Sequence, residues 1–321
     1  MINKEIGDKD GEACCYTSLG NMYRLVGEYN KAREHLEKSL VINKEIGDKY
    51  GEACCYTSLG NMYRLVSEYN KAREHLEKSL VIKKEIGDRS GEAGCYTNLG
   101  IVYTSVGEYN KAREHLEKSL VIYKEIGDKY GEACCYTSLG NMYRLVGEYN
   151  NAREHLEKSL VIKKEIGDRN GEACCYTNLG TVYISVGEYD KAREHLEKSL
   201  VIKKESGDRN GEACCHTNLG TVYISVGEYD KAREHLEKSL VIKKKIGDRN
   251  GEACCHTNLG AVYASVGEYD KAKERFEKSL VINKEIGDRN GVARCHTNLG
   301  NVYTSVGEYE EAREHLSRKH F

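Results

Sequence analysis

The sequence has no proline and no tryptophan, and its 321 residues include only 2 phenylalanines. Without proline, nothing removes a backbone donor or forces a helix to stop. With 31% charged residues and steady apolar spacing, the chain reads as helix throughout, without a low-complexity linker. An excess of one charge is also missing: 49 Lys and Arg face 51 Asp and Glu, a net charge of −2. Binding phosphate needs a basic surface excess, so no nucleic-acid partner is expected. No apolar run reaches the ~18 residues of a membrane span. The opening MINKEIGDKD is charged and lacks the apolar core of a signal peptide. The expected setting is soluble, reducing and cytoplasmic, with no membrane partner.

What the sequence does have is a period. GEACCYTSLG at Gly11 recurs almost unchanged at Gly51, Gly91, Gly131, Gly171, Gly211 and Gly251, and as GVARCHTNLG at Gly291. The units are 11–50, 51–90, 91–130, 131–170, 171–210, 211–250, 251–290 and a partial 291–321. A period of this size predicts one stacked array over 1–321, not a globule with a central core. Residues 1–10 read as the end of a preceding unit, since MINKEIG matches Val41–Gly47. The chain also stops inside a unit, at HLSRKHF, so a fragment of a longer protein is expected.

Within the first unit, Ala13, Tyr16, Leu19, Gly20, Tyr23 and Val26 recur at steps of three or four, one face of a helix. Gly27 breaks it, and Glu28-Tyr29-Asn30 is expected to turn the corner. A second apolar face follows at Tyr29, Ala32, Leu36, Ser39, Leu40 and Ile46. Gly47 is placed for a left-handed cap, and Asp48 to N-cap the next helix. Ser67 replaces the turn glycine of every other unit. One such hairpin cannot bury its own stripe, so stacking neighbours must complete the core.

Tyr16-x-x-Leu19-Gly20-x-x-Tyr23, followed by Ala32 and Leu36, resembles the tetratricopeptide pattern W-x₂-L-G-x₂-Y…A-x₃-F. The usual proline after the second helix is absent, with Lys44 near that place. The second helix therefore continues to Gly47, which lengthens the unit from about 34 residues. The junctions and the NLGNVY or SLGNMY cores resemble the Pins/LGN polarity scaffolds and arrays of the tetratricopeptide repeat protein 28 type. The resemblance implies an all-α, right-handed superhelical solenoid of antiparallel helix pairs. It also implies a concave surface lined by the first helices.

The copies vary chiefly in those first helices, and the columns headed by Cys14, Ser18, Asn21, Arg24 and Leu25 are expected to face the groove. Candidate groove residues are Asn21, Arg24, Asn61, Arg64, Asn98, Asn141, Arg144, Asn178, Asn218, Asn258, Asn298 and Asn301. Arginines would meet the carboxylates of an acidic partner peptide, and side-chain amides would hold its backbone. The alternative is that these arginines pair with neighbouring glutamates. The resemblance also implies a test for capture of a chaperone's C-terminal carboxylate. The relevant columns hold Thr17, Thr57 and Thr97, and Cys14, Cys54 and Cys134, so that mode is not expected.

Cysteine chemistry is not expected from the 14 cysteines. Packed helices lie ~8–10 Å apart, too far for bridges that need Cα atoms within about 7 Å. No C-x₂₋₄-C spacing offers a zinc site. The column from Cys15 to Cys295 reads as small buried hydrophobes. The Cys14 column reads as groove-facing without a fixed cationic partner. The histidines from His35 to His315 read as solvated. His216, His256 and His296, which replace tyrosine, read as structural. No nucleophile elbow, phosphate loop or paired-carboxylate site appears. The expected protein is a non-enzymatic, cofactor-free scaffold. The alternatives are a regulatory sensor array whose effector lies elsewhere, and an array that self-associates end to end.

Overall fold

The computed structural model describes residues 7–318. The expectations for MINKEI and for the final Lys319–Phe321 lie outside them. The described residues form sixteen α-helices and no strand. They divide into two compact bodies, Met1–Ile166 and Gly167–Phe321. The first holds α1 Lys9–Leu25, α2 Tyr29–Ile46, α3 Lys49–Leu65, α4 Tyr69–Glu85, α5 Arg89–Ser105, α6 Tyr109–Glu125, α7 Lys129–Val146 and α8 Tyr149–Glu165. The second holds α9 Arg169–Ser185, α10 Tyr189–Glu205, α11 Arg209–Ser225, α12 Tyr229–Lys245, α13 Arg249–Ser265, α14 Tyr269–Ile286, α15 Arg289–Val306 and α16 Tyr309–Ser317. Odd-numbered helices are the first of each repeat and even-numbered helices the second.

The punctuation is local. Gly47 ends α2 in the left-handed region at φ 73°, and Asp88 accepts from the Gly91 N–H at 2.8 Å to cap α5. Asp48 holds the N-cap position of α3 without a side-chain hydrogen bond. The corner between paired helices is tighter than expected. Glu28 is the N-cap, and Tyr29 and Asn30 already belong to α2. Ser67 adopts φ 61°, the one non-glycine with positive φ among the described residues.

Paired helices approach closely at the Gly20 column. A Cβ on Gly60 would sit 2.7 Å from Leu76 Cγ and 3.1 Å from the Ala72 carbonyl oxygen. Glycine is therefore required by contact, not by its backbone freedom. In the first body Leu59, Met62, Ala72, Leu76, Leu99, Val102 and Leu116 form a continuous buried core. In the second, Leu219, Val222, Ala232 and Leu236 are buried in the same columns. Two expected core positions are not core. Val26 is 64% exposed and Ile46 38%, because the Met22 and Ile42 columns, represented by Met62 and Ile82, take the inward direction instead.

A polar seam runs beside this core. Ser79 donates to the Ala53 carbonyl at 2.8 Å, Thr57 Oγ1 lies 2.8 Å from Ser79 Oγ, and the Cys95 thiol donates to Ser79 at 3.4 Å. The second body repeats it with Ser199, Thr177 and Cys215. The Cys55–Cys295 positions are buried, as expected, but they also hydrogen-bond one repeat to the next. Cys15 departs from its column and is exposed.

Candidate functional site

Successive helical residues turn by ~100°. Positions 14, 18, 21 and 25 of α1 therefore fall within a sector of roughly 60°, opposite Tyr16 and Tyr23. The candidate asparagines occupy two registers of that sector, one turn apart, while the Arg24 column lies about 60° beyond the Asn21 column, outside the sector. Asn21, Asn61, Asn141 and Asn301 share one column, and Asn98, Asn178, Asn218, Asn258 and Asn298 the other. Asn301 is exposed and the rest are half-buried. Asn178 and Asn258 donate their side-chain N–H to the sulfur of Cys174 and Cys254 one turn back. The Oδ1 atoms of Asn61 and Asn141 are buried and accept no hydrogen bond.

Arg24, Arg64 and Arg144 close the first helices of repeats one, two and four, all in the first body. Their side chains are half-buried, and the Nε of each is buried without a partner. The expected alternative, pairing with nearby glutamates, does not occur among the described residues. Burial first, and the like charge of Arg24 second, depress the pKa of Arg64. Adjacent repeats thus hold two cations close together without a counter-ion. The second body has Ile184, Ile224, Ala264 and Thr304 in this column.

One set of residues beneath this face was missed. The last turn of the second helix carries Asn43, Lys83, Tyr123, Lys163, Lys203, Lys243 and Asn283 in one column. Lys83, Lys163 and Lys243 are buried. Lys83 Nζ donates to Asp88 at 2.6 Å and to Cys54 Sγ at 3.7 Å, and lies 4.1 Å from the Tyr50 ring centroid. Lys163 and Lys243 reach Cys134 and Cys214 at 3.6 Å. Three cysteines of the Cys14 column therefore do have a cationic neighbour, contrary to expectation. The one trace in the sequence is that this position varies just after KAREHLEKSLVI, a stretch identical in repeats one, two, three, five and six.

The histidine column also departs from expectation. His75 is half-buried, its ring centroid 5.9 Å from Tyr56 and 5.1 Å from Tyr63. It is a packed ring, because its own first helix supplies the two tyrosines. His216, His256 and His296 are buried. Burial, with the neighbouring His235 second, pushes the pKa of His216 down to about 4. Burial and Arg275 do the same to His256. Open clefts lie on this side of the helices, one of about 540 Å³ beside His216 and one of about 380 Å³ beside His256. Among the described residues no three His, Cys, Asp or Glu side chains converge as a metal site. None of the described helices is long and apolar enough to cross a membrane.

Comparison with known proteins places this arrangement. No curated protein sequence matches the chain. Among solved structures, a signal-transduction ATPase with a tetratricopeptide repeat sensor from Pyrococcus horikoshii aligns with TM-score 0.73 and 17% identity, over 98% of this chain and 48% of that one. This chain thus spans about half the length of that protein. The apo quorum sensor NprR from B. thuringiensis aligns with TM-score 0.71 and 17% identity over 99% of both chains. Aspartyl phosphate phosphatase F from Bacillus subtilis aligns with TM-score 0.70 and 15% identity, over 95% of this chain and 82% of that one. At these identities the likeness is one of fold. The tetratricopeptide repeat profile matches residues 7–85, 91–165, 131–205, 171–245 and 251–318, and with the helix pairs and the close approach at the Gly20 column it shows that the chain belongs to the tetratricopeptide repeat family.

Proposed function

We propose that the protein is a non-enzymatic scaffold that binds an extended, acidic segment of a partner protein along its first helices. The observation that carries this reading is the unsatisfied chemistry of the first body. Arg24, Arg64 and Arg144 each keep a buried Nε without an acceptor, and Asn61 and Asn141 keep a buried Oδ1 without a donor. Buried polar groups left unpaired are costly, and unpaired charges more so. A ligand carboxylate satisfies the guanidinium groups with strong charge-assisted bonds. A ligand backbone N–H satisfies the amide oxygens. An acidic peptide supplies both. The second body offers the amides of Asn178, Asn218, Asn258 and Asn298 to the backbone of a segment of less defined charge. The resemblance to the Pins/LGN scaffolds belongs to this reading.

The test uses a fluorescein-labelled Glu-Gly repeat peptide against its Lys-Gly counterpart. Binding of the acidic peptide should weaken with salt and be lost in the combined Arg24→Glu, Arg64→Glu and Arg144→Glu variant. Equal binding by that variant overturns the proposal.

A second reading is a sensor array controlling an effector domain. It draws on the neighbours described as a tetratricopeptide repeat sensor and a quorum sensor. It predicts the same ligand face, with binding read out elsewhere. The full-length sequence would separate the two, through an effector domain or its absence.

A further inference from the structure

In the histidine column of the second helices, two repeats do something the others do not. In four repeats the second-helix histidine turns Nδ1 back onto its own helix. His75, His115, His155 and His195 each donate to the carbonyl oxygen four residues earlier at 2.8 Å. His235 and His315 do not. Their Nδ1 atoms lie 3.0 Å from the Nδ1 atoms of His216 and His296. Both ring pairs have centroids 5.1 Å apart. Between these two repeats sits a natural control. His256 faces Arg275 instead of a histidine, and its Nδ1 is buried without a partner.

The separation has a meaning in coordination chemistry. Imidazole nitrogens bind late first-row metals at about 2.0–2.1 Å. Two donors 3.0 Å apart then subtend about 90° at the metal. That is the angle between neighbouring positions of a square-planar or octahedral Ni²⁺ or Cu²⁺ ion. The wider tetrahedral angle of zinc needs a larger separation. The cleft beside His216 is open to solvent, with Glu212, Glu234 and Glu237 in its walls and Lys204, Arg209 and Lys238 beside them. The carboxylates offset the cationic neighbours, and water has access to the remaining coordination positions.

We propose that His216 with His235, and His296 with His315, each bind one Ni²⁺- or Cu²⁺-type cation through their Nδ1 atoms, with water completing the coordination. The proton shared between the two Nδ1 atoms moves to an Nε2, so both rings stay neutral and no proton need leave.

The test is a calorimetric titration of the full chain with Ni²⁺, which does not oxidise the thiols as Cu²⁺ would. Two tight sites per chain are expected. His216→Tyr should leave one, and the double variant with His296→Tyr none. Tyrosine stands at this position in five other repeats, so these variants keep a side chain the fold already accommodates. Arg275→His should raise the count to three. Thermal unfolding should shift upward with Ni²⁺ in step with the count. Nickel binding that persists at full stoichiometry in the double tyrosine variant would mean adventitious surface coordination and sink the proposal. So would a folded Arg275→His variant that gains no site.

Discussion

The two bodies share a backbone plan and a hydrogen-bonded seam, yet their first helices carry opposite chemistry. Three of the four repeats in the first body end that helix in arginine. The second body places Ile184, Ile224, Ala264 and Thr304 there. About 80° around the same helix, at the Tyr16 column, the first body sets tyrosines against its histidines. Three repeats of the second body set His216, His256 and His296 there instead. The difference teaches that each first helix has two faces free to vary. The core between them, at Ala13, Leu19, Gly20 and Tyr23, is closed to change.

The largest expected contrast is acid sensitivity. His216 and His256 have folded pKa values of about 4, below the ordinary unfolded value near 6.5. The unfolded state therefore binds more protons between those values, and stability falls as pH drops from about 6.5 toward 4. Each histidine removes up to ~3 kcal/mol across that window. Hydrogen exchange at pH 7 and pH 4.5 should show the second body losing protection first. The combined His216→Tyr and His256→Tyr variant should reduce the difference, with His235, His296 and His315 leaving a remainder, and equal acid loss in both bodies would break the comparison.

Next is the helix contact the bodies share. Gly60→Ala presses on Leu76 at 2.7 Å, and Gly260→Ala on the Phe276 ring at 2.6 Å. Both should cost about 1–3 kcal/mol, read from denaturant midpoints. A neutral result at Gly260 alone would show that a ring yields where a leucine does not. Arg64→Ile moves a second-body residue into the first. It removes a half-buried cation crowded by Arg24 and should raise stability by up to ~1 kcal/mol while weakening acidic-peptide binding. A loss of both stability and binding would show that the arginine packs more than it recognises. The smallest effect is Ser67→Gly. It relieves a left-handed serine and should stabilise the first body by up to ~1 kcal/mol. No change would mean the strain is absorbed locally.

The helix pairs, the Gly47 cap, the glycine contact and the buried Cys55–Cys295 positions were legible because each follows from spacing or from a residue with one conformational use. Val26 and Ile46 were misjudged because a stripe at steps of three and four has an ambiguous edge, and packing chose Met62 and Ile82. The Lys83 column was hidden because its burial depends on Asp88 and Cys54, which meet it only after the chain turns. The histidine pairing was hidden for the same reason. His216 and His235 are 19 residues apart, a distance that no helical period announces.

The seam carries one further consequence. Cys55, Cys95, Cys135, Cys215, Cys255 and Cys295 each donate to the serine sixteen residues earlier, at 3.1–3.4 Å. The thiol–serine bond is the same at each of these joints, while the side chain beside it varies among Asn43, Lys83 and Tyr123. Adding or deleting one 40-residue block recreates that bond, and the protein can change length by whole steps without inventing a new one.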